Sequence, residues 1–252
     1  MSGFSAVDHS PSPETLLNYL DDTDASMVAF KAYVVAAARR YIPGGRVLDL
    51  GCGVGHDLGR LRAAGLRPIG LDPSRLALER ARALGAVVQG DGVALPFRDA
   101  SFDGCRIERV LQHVERPEQV LNEVLRVVRP GGFLAVLEPD HSSLQVESEV
   151  MPSGDIPARC MTVRHPAIGS QVAELMRQRG CTVDDVVTEQ SFGYDVDALP
   201  IYGVAVLDAA VSAGRLLSDI RDAWIAEQRA RTAAGMFRAS WLKVLVVARA
   251  PQ

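Results

Sequence analysis

The chain is poor in lysine and has no surplus of positive charge. Only Lys31 and Lys243 are lysines; the other 25 of the 27 basic residues are arginines, scattered among 31 acidic residues. The formal net charge is −4. Because affinity for a phosphate backbone requires clustered cations, this balance argues against a nucleic-acid partner. The preference for arginine is typical of a GC-rich genome and does not by itself indicate a binding surface.

Long apolar runs and paired cysteines are also missing. No apolar run approaches the roughly 20 residues of a membrane span, so no membrane partner is expected. The four cysteines form no CxxC pair and the five histidines are dispersed, so no metal site is expected. The first residues, MSGFSAVDHSPSPETL, lack the basic-then-apolar pattern of a secretion signal. These absences predict a cytoplasmic protein in a reducing compartment.

From residue 45 onward, short apolar runs alternate with helical stretches of about ten residues. This alternation predicts an α/β fold, a Rossmann-like doubly wound sheet with helices on both faces and right-handed crossovers. Two later apolar runs bring the sheet to seven strands. The predicted strands are 46–51, 67–72, 86–91, 101–107, 131–139, 181–190 and 241–250.

The rest of the chain is interpreted as additions to a single domain spanning residues 1–252. Its predicted parts are an N-terminal helical segment (1–44), a core (45–139) and a C-terminal half (140–252). Residues 140–165 show weak periodicity and are expected to be a loop or short irregular pieces. Residues 196–236 hold two helical patterns between the sixth and seventh strands, too long for a turn, and predict a helical cap insertion.

The segment VLDLGCGVG places Gly51, Gly53 and Gly55 directly after a strand and before a helix. Glycine lets the backbone turn sharply and lets a ligand lie against the main chain, and the following helix offers unpaired N–H groups. Asp72 ends the next strand, where it can accept hydrogen bonds from a ribose diol. Asp91 ends the third strand and can accept a hydrogen bond from an adenine amino group.

The dinucleotide fingerprint G-x-G-x-x-G/A fits poorly, because its third glycine position is His56. The pattern D-x-G-x-G-x-G instead resembles the class I S-adenosylmethionine-dependent methyltransferases. SFDGCRIERVLQHV resembles their fourth motif, EVLRVVRPGGFLAVLEP their post-motif segment, and QGDGVALPF their acidic loop. The resemblance covers residues 45–139. It implies a seven-stranded, mostly parallel sheet whose last strand is antiparallel.

The resemblance also implies which residues hold S-adenosylmethionine. Residues of the glycine loop would line the methionine part, the acids after strands two and three would hold the ribose and flank the adenine, and one arginine lies just past the fourth strand. The cofactor-binding residues implied in this way are Asp49, Gly51, Cys52, Gly53, Asp72, Pro73, Asp91, Gly92 and Arg109.

The acceptor is expected beyond the carboxyl ends of the strands. His113 is the candidate general base, because its ordinary pKa lies near working pH; packing or structural hydrogen bonding is an equally good interpretation. Glu138 is a candidate for holding a cationic or amine acceptor, or it is an ordinary partner for an arginine. His141 is a further candidate, and Tyr202 in the insertion is a candidate for roofing the acceptor pocket.

The leading hypothesis is therefore an enzyme that transfers methyl from S-adenosylmethionine to O, N or C of a small organic acceptor in bacterial biosynthetic metabolism. The first alternative is a methyltransferase-like protein that binds S-adenosylmethionine but catalyses another reaction, or none. A nicotinamide oxidoreductase is a second, and no basic face or Asn-Pro-Pro-Tyr-type motif supports an RNA or protein methyltransferase. The oligomeric state stays open, a homodimer included.

Overall fold

A computed structural model describes residues 7–8, 13–14, 17–18, 27–161, 163–199 and 203–252. Its strands are β1 (Arg46–Leu50), β2 (Arg67–Asp72), β3 (Ala86–Gln89), β4 (Phe102–Glu108), β5 (Val128–Val146), β6 (Thr182–Gly193) and β7 (Ala239–Arg249). Its helices are α1 (Val28–Tyr41), α2 (His56–Ala63), α3 (Arg75–Ala81), α4 (Pro117–Val127), α5 (Ile168–Arg177), α6 (Val204–Ser212) and α7 (Ser218–Ala233), with a π-helical turn at Ile156–Cys160.

The seven strands form one sheet in the order β3-β2-β1-β4-β5-β7-β6. β1 pairs in parallel with β2 and β4, β2 with β3, and β4 with β5, whereas the last strands are antiparallel. The order reverses at β1, which is the topological switch point where open α/β sheets bind ligands. The predicted fold class, including the helices between β6 and β7, is confirmed.

Both faces of the central strands are buried, which explains their almost continuous apolar composition. One face carries Phe133, Ala135 and Leu137 of β5 and is covered by α1 and α2. The other face carries the alternate residues of β5, Leu134 and Val136, and is covered by α4 and α5. The α/β rhythm of the sequence therefore corresponds to a doubly wound sheet.

The chain groups into two compact units. The first unit contains Met1–Glu138, Gln171–Val187 and Leu245–Gln252. The second contains Pro139–Ser170 and Thr188–Val244 and has its own apolar core, in which Trp224 and Phe237 are buried. The assignment of residues 1–252 to a single domain stays a prediction.

The expectation of irregular structure over residues 140–165 is wrong at its beginning. β5 does not end at Pro139 but continues to Val146. The polar residues that obscure the strand pattern have hydrogen-bond partners in the folded chain. The Asp140 carboxylate accepts from the backbone N–H of Ser142 at 3.0 Å. The hydroxyl of Ser143 in turn accepts from the backbone N–H of Leu242 on β7 at 2.8 Å.

Among the described residues, no helix is both long enough and apolar enough to cross a membrane.

Candidate cofactor-binding and active site

The glycine loop follows β1 at the centre of the sheet. Gly51, Gly53 and Gly55 all have positive φ angles, +72°, +51° and +90°. A Cβ on Gly51 would lie 2.3 Å from the Val110 side chain, so this position has neither the conformation nor the space for another residue. Gly55 directly precedes α2, as the strand–turn–helix interpretation predicts.

Cys52 fills a small space inside this loop. It is buried, and a Cβ on Gly70 of β2 would lie 2.6 Å from its sulfur. Burial raises the pKa of the Cys52 thiol far above its ordinary value, so the group stays protonated and unreactive. Cys52 therefore has a packing role beside the cofactor position.

Asp72 connects the end of β2 to the glycine loop. One carboxylate oxygen accepts from the backbone N–H of Gly53 at 2.9 Å, and the other accepts from the backbone N–H of Ser74 at 2.9 Å. Each oxygen keeps a second lone pair for a ribose hydroxyl. Burial raises the pKa of Asp72 to about 6, so the carboxylate is charged at neutral pH and protonated in mild acid.

The predicted adenine-side residues lie at the ends of β2 and β3. Pro73 is exposed, and its carbonyl accepts from the Gln89 side-chain amide at 3.0 Å, which ties the two strand ends together. Asp91 is exposed, and its carboxylate accepts from the backbone N–H of Val93 at 3.1 Å. Gly92 is buried beside Val120 and Leu50.

The described N-terminal residues pack against the same region. Asp8 accepts from the Ser74 hydroxyl at 2.6 Å and from the Arg75 backbone N–H at 2.8 Å, so it caps the start of α3. Val7 is buried in a small apolar cluster with Val54 of the glycine loop. Val7 and Asp8 therefore pack beside the glycine loop and the start of α3, a contact that the sequence did not indicate.

A buried charge network lies under the glycine loop. Asp49 is the register partner of Arg106 in the β1–β4 pair, and its Oδ1 accepts from Arg106 Nη1 at 2.6 Å. Arg106 also pairs with Glu108 and, at 2.6 Å, with Asp57 of α2. Lys31 of α1 contacts Asp57 and lies 3.1 Å from Glu108. Three carboxylates are thus enclosed with two cations.

The network leaves one acid incompletely satisfied. Burial raises the pKa of Asp49, and its Oδ2 has no hydrogen-bond partner among the described residues. Burial also pushes the pKa of Asp57 upward, but the charges of Arg106 and Lys31 outweigh it and hold that pKa below its ordinary value. The remaining oxygen of Asp49 suits a cationic group such as the cofactor's ammonium.

Lys31, Asp57 and Arg106 were not predicted as site residues. Two of them carried a signal in the sequence: Lys31 is one of two lysines and stands on the apolar side of a helix, and Arg106 interrupts a buried strand. Buried cations require paired acids, so both residues pointed to a charge network.

Glu138, in the middle of β5, is fully buried and accepts hydrogen bonds from the loop after β4. Its Oε1 accepts from the backbone N–H groups of Val110 at 2.7 Å and Leu111 at 2.6 Å. Burial raises the pKa of Glu138 to about 8. Oε1 is therefore occupied by main-chain donors, and whether Glu138 also contacts an acceptor stays a prediction.

The same loop contains two further candidates. Arg109 has a φ of +56°, a conformation that non-glycine residues rarely adopt and that clusters at functional sites. Its backbone N–H donates to the Leu137 carbonyl at 2.9 Å, and its side chain lies 3.6 Å from Glu108. His113 is partly buried, and its backbone N–H closes a turn on the Val110 carbonyl at 2.9 Å.

Two acceptor candidates remain, His141 and Tyr202. His141 belongs to the second unit and is buried, and burial lowers its pKa to about 4, so its imidazole is neutral at physiological pH. Tyr202 lies outside the described residues. Within the part of the chain that the structure describes, no group of three or more His, Cys, Asp or Glu residues is arranged to hold a metal ion.

Comparison with known proteins decides the family. The methyltransferase-domain model matches residues 48–136, which span the glycine loop, Asp72 and the loop after β4 up to β5. A 37.1 kDa protein of unknown function encoded in transposon TN4556 of Streptomyces fradiae is 38% identical over 95% of this chain and 72% of its own length. The chain belongs to the class I S-adenosylmethionine-dependent methyltransferases.

Other relatives match this methyltransferase over a shorter region. The demethylmenaquinone methyltransferase of Renibacterium salmoninarum is 42% identical over 40% of this chain and 44% of its own length. The chain thus spans less than half the length of that relative. The crystal structure of the 4+2 cyclase SpnF superposes with a TM-score of 0.54 over 88% of this chain and 81% of the other, at 23% identity, which shows a common fold.

For this methyltransferase, replacing Asp72 tests the cofactor cradle. Asp72→Ala should weaken S-adenosylmethionine binding by about 1–3 kcal/mol, because hydrogen bonds to a charged acceptor are lost. In the wild type, affinity should fall as pH drops below about 6, where Asp72 becomes protonated. Titration calorimetry at several pH values measures both effects, with Asp72→Asn as the variant whose affinity lacks this pH dependence. An unchanged affinity in Asp72→Ala would show that the ribose is held elsewhere.

Replacing Arg106 tests the buried network. Arg106→Met should lower the free energy of unfolding by about 3–5 kcal/mol, because it leaves buried carboxylates without their shared cation. Denaturant unfolding measures the loss. Arg249→Met, which removes an exposed pair with Asp184, is the matched control and should change stability little. Equal effects of the two substitutions would mean that the network contributes no more than a surface ion pair.

Glu138 should make the stability of the methyltransferase pH-dependent. Because its pKa rises on folding from 4.5 to about 8, the folded state binds a proton that the unfolded state releases between these values. The proton on Glu138 therefore stabilises the folded state. Its full contribution to the free energy of unfolding is present below pH 4.5 and is lost as pH rises toward 8, at up to about 1.4 kcal/mol per pH unit. Glu138→Gln keeps the acceptor oxygen and should remove this slope, and identical pH profiles would contradict the assignment.

Proposed function

We propose that this protein transfers the methyl group of S-adenosylmethionine to an oxygen, nitrogen or carbon atom of a small organic acceptor. The arrangement around Asp72 carries this proposal. Its carboxylate fastens the glycine loop to the end of β2 and keeps lone pairs for a ribose, and this is the chemistry that a nucleoside sulfonium cofactor requires. Membership of the methyltransferase family agrees with it.

The residues of the first unit divide the binding task. Asp49 would offer its unpaired oxygen to the ammonium group, Asp72 would accept from the ribose hydroxyls, and Pro73 would lie against the adenine. When bound, S-adenosylmethionine supplies an activated methyl group: the acceptor's lone pair forms the new bond to the methyl carbon while the sulfur–carbon bond breaks and the sulfur keeps its electron pair. The protein then has to align the acceptor and exclude water.

We assign to His113 the role of general base, which removes a proton from the acceptor. The turn that contains it is fixed by the two amides that Glu138 holds, so the histidine is presented from an ordered loop after β4. A base is needed only for an acceptor that arrives protonated. The neighbouring Arg109 offers a guanidinium that can clamp a carboxylate of the acceptor or of the cofactor.

His113→Ala should lower turnover about 100-fold or more if the imidazole removes a proton, while S-adenosylmethionine affinity stays unchanged. The pH–rate profile is the decisive measurement, because the wild type should lose rate below the histidine pKa and His113→Ala should not. His113→Gln, which keeps a polar side chain without a titratable proton, serves as the control. A retained rate with the same profile would return His113 to a packing role.

The acceptor class and cellular setting are parts of the same proposal. The acidic net charge favours a small molecule over a nucleic acid as acceptor, and the four cysteines are all free and buried, which suits a reducing cytoplasm. The bacterial sources of the relatives agree with a role in bacterial biosynthetic metabolism.

Radiolabelled S-adenosylmethionine and a broad panel of phenols, amines and carboxylic acids test the function. We expect at least one labelled product that is absent with Asp72→Ala. Cofactor binding without product across the panel would favour a protein of this fold that uses S-adenosylmethionine for another reaction. Binding of NAD in preference to S-adenosylmethionine would overturn the assignment.

A further inference from the structure

The loop after β4 and the glycine loop leave neighbouring strands at the same edge of the sheet. Leu50 at the end of β1 is the register partner of Ile107 in β4, and the two strands run in parallel. Gly51 directly follows β1, and Val110 lies two residues beyond the end of β4. Because parallel strands end at the same edge of a sheet, the two loops lie side by side.

Val110 is the point of contact between these two loops. A Cβ on Gly51 would lie 2.3 Å from one methyl group of Val110, so that methyl group occupies the space beside Gly51 that a side chain would need. Close packing of this kind transmits a displacement, because neither group can shift without opening a gap or making a clash. The position of Val110 therefore bears directly on the conformation of the glycine loop.

Glu138 holds the backbone of Val110. Its Oε1 accepts from the backbone N–H of Val110 at 2.7 Å and from that of Leu111 at 2.6 Å. The chain reaches this position through Arg109, whose φ of +56° is uncommon for a non-glycine residue and persists only where the surroundings hold it. The carboxyl group is thus one of the contacts that keep this turn in place, together with the hydrogen bond from the Arg109 backbone N–H to the Leu137 carbonyl.

These contacts connect the two sides of the proposed reaction. The glycine loop lies at the cofactor position, and His113 on the loop after β4 is the residue assigned to the acceptor. Glu138 and Val110 join the two loops, and all of these residues belong to the first compact unit. Energetic coupling between two sites is carried by contiguous packed and hydrogen-bonded groups of this kind.

We propose that Glu138 is a positioning residue that makes the loop after β4 and the glycine loop respond as one. Through Val110 it holds the acceptor side of the site in a fixed place relative to the cofactor, and cofactor binding on the glycine loop in turn orders the loop after β4. The inference rests on the proposed function in one respect: it takes the glycine loop as the cofactor side and the loop after β4 as the acceptor side. Because such coupling is reciprocal, the acceptor binds more tightly once the cofactor is in place.

Hydrogen-exchange mass spectrometry with S-adenosylhomocysteine, which has no methyl group to donate, reads both loops without an acceptor. Hydrogen-bonded backbone N–H groups serve as reporters: those of Gly51 and Cys52 in the glycine loop, and that of His113 in the loop after β4. In the wild type the ligand should slow exchange in both loops. Glu138→Gln keeps the acceptor oxygen and should behave like the wild type.

Two variants separate coupling from simple stabilisation. Glu138→Met removes the acceptor of two backbone N–H groups, so without ligand it should speed exchange in both loops at least about tenfold. Val110→Ala leaves those hydrogen bonds in place and removes the methyl group that contacts Gly51. In both variants the ligand should still slow exchange in the glycine loop but no longer in the loop after β4. A purely structural role of Glu138 would leave Val110→Ala with the wild-type response.

Glu227→Met is the matched control, because it removes a carboxylate that accepts the backbone N–H of Glu149 at 2.9 Å in the second unit, and it should keep the wild-type response. Circular dichroism checks that each variant folds. The proposal would be overturned if the ligand still slowed exchange in the loop after β4 of Val110→Ala, or if it slowed exchange only in the glycine loop of the wild type. A wild type that binds no S-adenosylhomocysteine would refute the proposed function. The ligand-free rates would then decide the coupling, which fails if Glu138→Met speeds exchange in the loop after β4 alone.

Discussion

The ion pairs of Arg106 hold together the part of the sheet on which the cofactor region is built. Strand register places Asp49 beside Arg106, and the two-residue period of β4 places Glu108 on the same face. Asp57 of α2 completes the ring around the guanidinium. Since the glycine loop connects Asp49 to α2, a single cation fixes both ends of that loop.

Two acids away from this network act in a similar way on neighbouring loops. Asp72 accepts the main-chain N–H of Gly53 in the glycine loop, and Glu138 accepts those of Val110 and Leu111 in the loop after β4. In each case a buried carboxyl group adds to the main-chain hydrogen bonds that order the loop. Loops ordered before binding lose less conformational entropy when the ligand arrives, which favours tight and well-oriented binding. The cost is that both acids are desolvated, and burial raises the pKa of each.

The cofactor cradle could be predicted from the sequence because its determinants are local. The end of β1, three glycines and the start of α2 lie within ten residues, and Asp72 is recognised as the acid at the end of the next strand. Arg106 could not be assigned in the same way, since its role depends on which strand pairs with β1. Glu138 was predicted to hold an acceptor or to pair with an arginine; its bonds to main-chain amides could not be predicted, because those amides follow a different strand. The extension of β5 to Val146 was missed because its polar residues find partners only in the folded chain.

The near absence of lysine also limits how the folded protein can be modified. Lys31 is 4% exposed and Lys243 is 6% exposed, and both lie beside carboxylates. With only these two lysines in the sequence, the folded chain presents no accessible side-chain amine. Acetylation, ubiquitination and amine-directed cross-linking therefore have no lysine target unless the protein unfolds locally. The positive charges on the protein surface are those of arginines, which keep their charge at any physiological pH.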